Sequence, residues 1–402
     1  MEKSEFELMA PAGSFSALIA ACKAGANAVY FGLDSFSMRA GRRNFKVSDI
    51  RKIKKICDSC PRKPKVYLTL NTIVYDSELK KLETLIKRVA GKVDAIICWD
   101  LAVIKLCQKY KVPFFISTQA SIANKESAEF YKKLGARRAV LARELSLKQI
   151  KEISKVRGLE LEVFIHGAMC VSVSGRCFTS QFLFNRSANR GECFHPCRRS
   201  YTVTEDRYGH ELKLQNNLVM SAKDLCTLPF IEELKRAGVK AFKIEGRNRD
   251  PIYVKTAVEV YREALDNKLT KKRVIELMEK LQAVYNKGFS SGFYLGKPMP
   301  SDLSEVENSM SDFYRSFLGR VAHIYPKVEV AVIRLSDNLK IGEEIAFIHE
   351  KLGVEKIKVK DMEIENKKVK KARKGQDVGL KLPFEVFKNA EVYKIKIRRG
   401  LR

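Results

Sequence analysis

The residues best suited to chemistry are cysteines. Cys170, Cys177, Cys193, Cys197 and Cys226 place half of the ten cysteines of this 402-residue chain in about a seventh of its length. Four thiolates suit zinc or an iron–sulfur cluster, both of which take soft ligands. Zinc fingers and ribbons draw ligands in close Cys-x2-4-Cys pairs, whereas six residues separate Cys170 from Cys177 and Cys226 lies well downstream. The wide spacing favours an iron–sulfur cluster. Cys193 and Cys197 form a Cys-x3-Cys pair that keeps zinc open, and five thiols leave one spare. A mixture of buried and free thiols is the plainer alternative, because free cysteine packs as a small hydrophobe. That plainer reading fits Cys22, Cys98 and Cys107, which fall on helix or strand faces, and the CDSC pair Cys57/Cys60, which has no supporting neighbours.

The same segment carries Arg176, Arg186, Arg190, Arg198 and Arg199, interleaved with Phe178, Phe182, Phe184, Phe194 and Tyr201. Guanidinium forks beside aromatic faces suit phosphate contacts and base stacking on unpaired RNA, and equally packing around a cluster. Other chemistries are poorly served. The chain has five histidines, none before His166, and no HExxH, phosphate-loop or dinucleotide fingerprint. A cysteine protease would need an imidazole base, which His166 or His195 could supply to Cys170.

The elements that position these residues read as repeated β/α units. Seven short apolar runs alternate with helical segments up to about residue 165: FELMAP, AVYFGL, KVYLTLN, DAIICWD, PFFISTQ, RAVLARE and LELEVFIHG. An eighth, AFKIEG from Ala241, follows the cysteine-rich interruption, and Asp250-Pro251 then opens a helix. Eight units favour a closed TIM-like β/α barrel, in which chemistry sits at the C-terminal ends of the strands. The residues there are Pro11, Gly13, Gly32, Asn71, Asp100, Gln119, Arg143, Glu144, His166, Glu245 and Arg247. An insert after the seventh strand would hang over that face, bringing the thiols to it.

We expect a barrel over 1–266 with the insert at about 167–240, a helical segment and Gly/Ser/Pro-rich linker over 267–311, and a small β-barrel over 312–402. The last unit holds 22 Lys or Arg against 13 Asp or Glu, within a whole-chain balance of 76 against 47 and a net charge of +29. Such a field favours a polyanionic partner such as RNA, although charge enrichment also accompanies heat adaptation. No run is long and apolar enough to span a membrane and the N-terminus lacks a secretory pattern, so a cytoplasmic location is expected. Oligomeric state is not legible.

These residues resemble the collagenase-like peptidase family, the thirty-second among peptidases of unknown catalytic type. The resemblance rests on Glu162-Val-Phe-Ile-His166-Gly167-Ala168-Met-Cys170 with Cys177 following, on MAPAGSFSAL, AVYFG, RGECFHPCRRSY, SAKDLC and FKIEGR, and on NKGFSSGFYLG near residue 290. The C-terminal segment is similar to the translation-factor-like barrel appended in many members. The resemblance implies oxygen-independent hydroxylation, of a tRNA uridine, of a ribosomal RNA cytidine or of ubiquinone precursors, with prephenate as a co-substrate of the RNA-directed members. It also implies an iron–sulfur cluster, of the 4Fe-4S type, on Cys170, Cys177, Cys193 and Cys226, with Cys197 as the alternative fourth ligand.

The resulting expectation is an RNA-modifying enzyme that hydroxylates a pyrimidine in tRNA or rRNA. Arg143 and Arg247 would clamp a prephenate-like carboxylate donor, Glu245 or His166 would move protons, and Gln119 would complete the mouth. The alternatives are a protease, as the family name says, and an RNA-associated module without catalysis.

Overall fold

The computed structural model describes residues 5–38, 44–173, 175–201, 203–204, 211–212 and 220–398, so parts of the expected insert lie outside the described residues. Seven strands, β1 Glu7–Pro11, β2 Ala28–Gly32, β3 Lys65–Thr69, β4 Ala95–Cys98, β5 Phe114–Ile116, β6 Arg138–Val140 and β7 Glu160–Gly167, run in parallel order. The strand Ala241–Ile244 pairs in parallel with both β1 and β7 and closes an eight-stranded barrel. The alternation of each strand explains its two faces. Met9, Tyr30, Tyr67, Ile97 and Phe115 fill the barrel interior, while Leu8, Val29, Val66 and Ile96 face the surrounding helices.

Local signals set the helix ends. Ser14 accepts from the backbone N–H of Ala17 to cap helix Phe15–Lys23, and Gly25 follows its end with φ +99°. Asp250 accepts from Ile252 and Tyr253 to start helix Pro251–Asp266. Charged residues inside the barrel are paired. Arg138 meets Glu7 at 2.6 Å and Glu162 at 3.3 Å, and Glu162 meets Lys243 at 2.9 Å, which carries an ionic chain up to the floor of the mouth.

The Gly/Ser/Pro-rich stretch expected to be a linker packs against the barrel. Its residues Phe289–Ser290 pair with the short strand Asp224–Cys226, which lies antiparallel to β7. Tyr294 donates to the Phe164 carbonyl at 2.7 Å, and Lys287, 1% exposed, donates to Ser221 Oγ at 3.0 Å. Sequence composition marks this stretch as irregular, but its buried polar groups find partners and so it need not be free.

The C-terminal unit is an antiparallel domain of an eight-stranded sheet, its longest strand being Phe313–Tyr325, and a two-stranded pair, Leu339–Lys340 with Lys371–Ala372, over a core that includes Leu318, Val321, Ile333, Phe347, Val378 and Val392. It rests on the barrel through Gly353, whose added Cβ would stand 3.0 Å from the Ala20 nitrogen. Glu355 adds ion pairs to Lys23 and Lys255 at 3.2 and 2.9 Å. Among the described residues no helix is long and apolar enough to cross a membrane.

Candidate functional site

A cavity of about 180 Å3 occupies the C-terminal mouth of the barrel. Strand ends build its floor from Thr69, Asn71, Ser117, Gln119, Arg143, Lys243, Glu245 and Arg247, and the insert roofs it with Cys170, Cys177, Cys193 and Cys197. The floor is held by hydrogen bonds. Arg247 donates from Nη1 to Ser37 Oγ at 2.6 Å and to Thr69 Oγ1 at 2.9 Å. Arg143 donates to the Ala168 carbonyl at 2.7 Å and lies 3.8 Å from the centre of the Phe164 ring. Gln119 accepts from Ser117, which lies within reach of the Asn71 amide at 3.5 Å. Lys243 pairs with Glu162, and its burial pushes its ammonium below the usual lysine range against the upward pull of that carboxylate.

Four of the five thiols meet at the cavity, and the fifth does not. Cys170 is exposed, and Cys177, Cys193 and Cys197 are half-buried. Burial raises the Cys197 thiol, and the neighbouring thiols Cys170, Cys193 and Cys177 raise it further while Arg198 lowers it. Cys226 faces the barrel–helix core, 3.5 Å from Tyr261 Oη and 3.6 Å from Met278 Sδ, and burial pushes its thiol up to about 11. The structure therefore places Cys197 with Cys170, Cys177 and Cys193, and sets Cys226 apart. The reason lies in the short strand Asp224–Cys226: pairing with β7 turns the Cys226 side chain to the helix side.

The four cavity thiols fit a soft metal centre in type and number. Among the described residues, no three potential ligands stand at ligating spacing.

His166 is the other departure from expectation. Its ring is 1% exposed, does not line the cavity, and is surrounded by Tyr253, Tyr261 and Phe289 with ring centres 5.4 to 5.7 Å away. Burial, with the Arg249 cation nearby, pushes the imidazole down to about 3, against an opposing pull from Glu245. The enclosed, neutral imidazole has no face on the cavity, whereas the Glu245 carboxylate lines it.

The insert arginines are mostly anchors. Arg176 donates to the Gln119 carbonyl at 2.8 Å and stacks on Trp99, Arg190 pairs with Glu78 and the Ile73 carbonyl, and Arg186 pairs with Glu192 at 3.2 Å. Sequence reasoning missed Lys243. Its signal was a lysine inside the apolar run AFKIEG, at the position whose neighbours Phe242 and Ile244 face the helices.

A β/α barrel whose mouth is roofed by a four-thiol insert and followed by an antiparallel sheet domain defines the class. Residues 13–303 match Peptidase family U32, and the chain belongs to that family. It is similar to an uncharacterized protease of Methanocaldococcus jannaschii, 39% identical with 97% of this chain and 98% of the relative covered. It is also similar to a collagenase of Porphyromonas gingivalis, 36% identical over 99% of this chain and 100% of the relative. A third relative, tRNA hydroxylation protein P1 of Bacillus subtilis, is 31% identical over 85% of this chain and 83% of its own length.

Proposed function

We propose that this protein is an RNA-modifying enzyme that hydroxylates a pyrimidine of tRNA or rRNA without molecular oxygen, drawing the hydroxyl from a prephenate-like carboxylate. The observation that carries the reading is the meeting of four thiols with Arg143, Lys243 and Arg247 on one cavity at the barrel mouth. The kinship to a tRNA hydroxylation protein over most of both chains supports it. Cys170, Cys177, Cys193 and Cys197 are the residues that would hold an iron–sulfur cluster. Bound there, such a cluster supplies electron transfer or Lewis-acid polarisation.

The chain's own residues do the rest. The Arg143 and Arg247 guanidinium groups hold the donor carboxylates, each already fixed by hydrogen bonds to the barrel, so little reorganisation is needed on binding. Lys243 adds positive charge at the floor. Glu245 accepts or returns a proton at the rim, and Gln119 and Asn71 offer amide groups that orient polar parts of the substrate. The roof keeps bulk water from the reacting atoms.

Nucleoside mass spectrometry of RNA from a strain lacking the gene tests this reading. The expected result is loss of one hydroxylated pyrimidine, restored by the wild-type gene and not by Cys170→Ala; an unchanged nucleoside profile would sink it.

Peptide hydrolysis is the second reading, favoured by the names of two relatives and by His195 lining the cavity with Cys193 and Cys197. It requires that metal-free protein cleave peptides and that Cys197→Ala abolish the cleavage while the fold is kept.

A further inference from the structure

A second cavity of about 170 Å3 adjoins the first, sharing Ala168, His195, Arg198 and Glu245 with it and extending to Asn248, Arg249 and Tyr285. Its two guanidinium groups outnumber its one carboxylate, Glu245, and have donors to spare. The half-buried Arg249 guanidinium lies over the Tyr285 ring, 3.6 Å from its centre, and among the described residues makes no hydrogen bond or ion pair. Arg198 gives one N–H to the Met169 carbonyl at 3.2 Å, but its Nη1 is buried without an acceptor. The nearest carboxylate, Asp224, is 1% exposed, stands 3.8 Å from that nitrogen, and its own Oδ1 is likewise unpartnered.

A buried polar group left unpaired costs roughly 1–3 kcal/mol, so the buried Arg198 Nη1, beside an Arg249 fork with spare donors on the same small cavity, signals an absent acceptor. Planar forks of this kind match a carboxylate or phosphate through paired hydrogen bonds. Asp224 stands behind Arg198 and outside the cavity lining, where it orients the guanidinium and does not compete for the space. The Tyr285 face fixes Arg249 in the same way from the other side.

We propose that this side cavity is an oxyanion subsite in which Arg198 and Arg249 grip one anionic group of a substrate whose remainder enters the thiol-lined cavity. The anion is either a phosphodiester of the RNA or a carboxylate of the small donor. The proposal rests on the hydroxylase reading only for the choice between them.

Titration calorimetry on full-length wild-type protein and Arg249→Gln, with inorganic phosphate, succinate and an unmodified tRNA transcript, tests it. At least tenfold weaker binding of phosphate and transcript by the variant, with succinate unaffected, supports the subsite with a backbone phosphate as occupant. Weakening of succinate alone supports it with the donor carboxylate as occupant. Phosphate binding that depends on Arg249 in a protein that ignores the transcript keeps the subsite and sinks the RNA reading. Wild-type protein that binds none of the three probes, or a folded Arg249→Gln that binds them as wild type does, overturns the proposal. Should Arg249→Gln not fold, Arg249→Lys, which keeps the charge and loses the fork, takes its place with the same outcomes.

Discussion

At the scale of single residues, the account turns on which thiols share a cavity. If Cys170, Cys177, Cys193 and Cys197 hold the metal, replacing Cys197 by Ala removes iron from anaerobically purified protein. Cys226→Ala is expected to keep the iron and lose only ~1 kcal/mol of stability, as for an ordinary buried substitution. Iron analysis and thermal unfolding of the two variants check this, and the reverse pattern would restore Cys226 as a ligand. His166 gives a pH prediction. In the unfolded chain the imidazole titrates near 6.5, whereas in the folded protein it stays neutral down to about 3. Between those values only the unfolded chain binds the proton. The contribution of this group is therefore complete above pH 6.5 and is lost as pH falls toward 3. Nitrogen NMR of the His166 ring should show a neutral imidazole at pH 5; a protonated ring there would contradict the enclosed placement. The cysteines were visible in the sequence by count and spacing, but which four converge was not. That depends on the face a short strand presents after pairing with β7, and spacing along the chain carries no such information.

At the scale of elements, the barrel was legible because each strand is a short apolar run followed by a helix with its own cap, and such signals are local. The packing of the strand ends was less so. Gly13 and Gly32 stand out in the sequence only as residues just after strands, yet each makes room for Arg247. A Cβ on Gly13 would lie 1.7 Å from the Arg247 carbonyl oxygen, and one on Gly32 would lie 2.4 Å from Arg247 Nη1 and 2.2 Å from Ser37 Oγ. Gly32→Ala should therefore displace the Arg247 guanidinium, cost about 1–3 kcal/mol by overpacking, and weaken donor binding. Thermal unfolding and calorimetric titration of the donor measure the two effects together; a variant equal to wild type in both would remove Arg247 from the floor. Composition misleads for residues 286–302. Glycine, serine and proline mark irregular backbone correctly but say nothing of burial, which here follows from the Tyr294 and Lys287 hydrogen bonds.

For the molecule as a whole, the net charge of +29 left two readings in the sequence, an RNA-binding field or a heat-adapted surface. The structure shows many of these charges in ion pairs, as between Lys23, Lys255 and Glu355 across the two domains, so charge alone does not measure affinity for RNA. Binding by phosphate contacts would nevertheless weaken steeply with salt, so the affinity for a tRNA transcript should fall at least tenfold between about 50 and 200 mM salt. A flat salt response would remove the electrostatic part of the account. The central claim, that thiols at the barrel mouth serve RNA hydroxylation, is tested most directly by assaying anaerobically purified protein on unmodified RNA with prephenate and reading the nucleosides by mass spectrometry. The account predicts a pyrimidine heavier by one oxygen with wild-type protein and none with Cys197→Ala. Equal product from both proteins, or none from an iron-loaded wild type supplied with tRNA and rRNA, would contradict it.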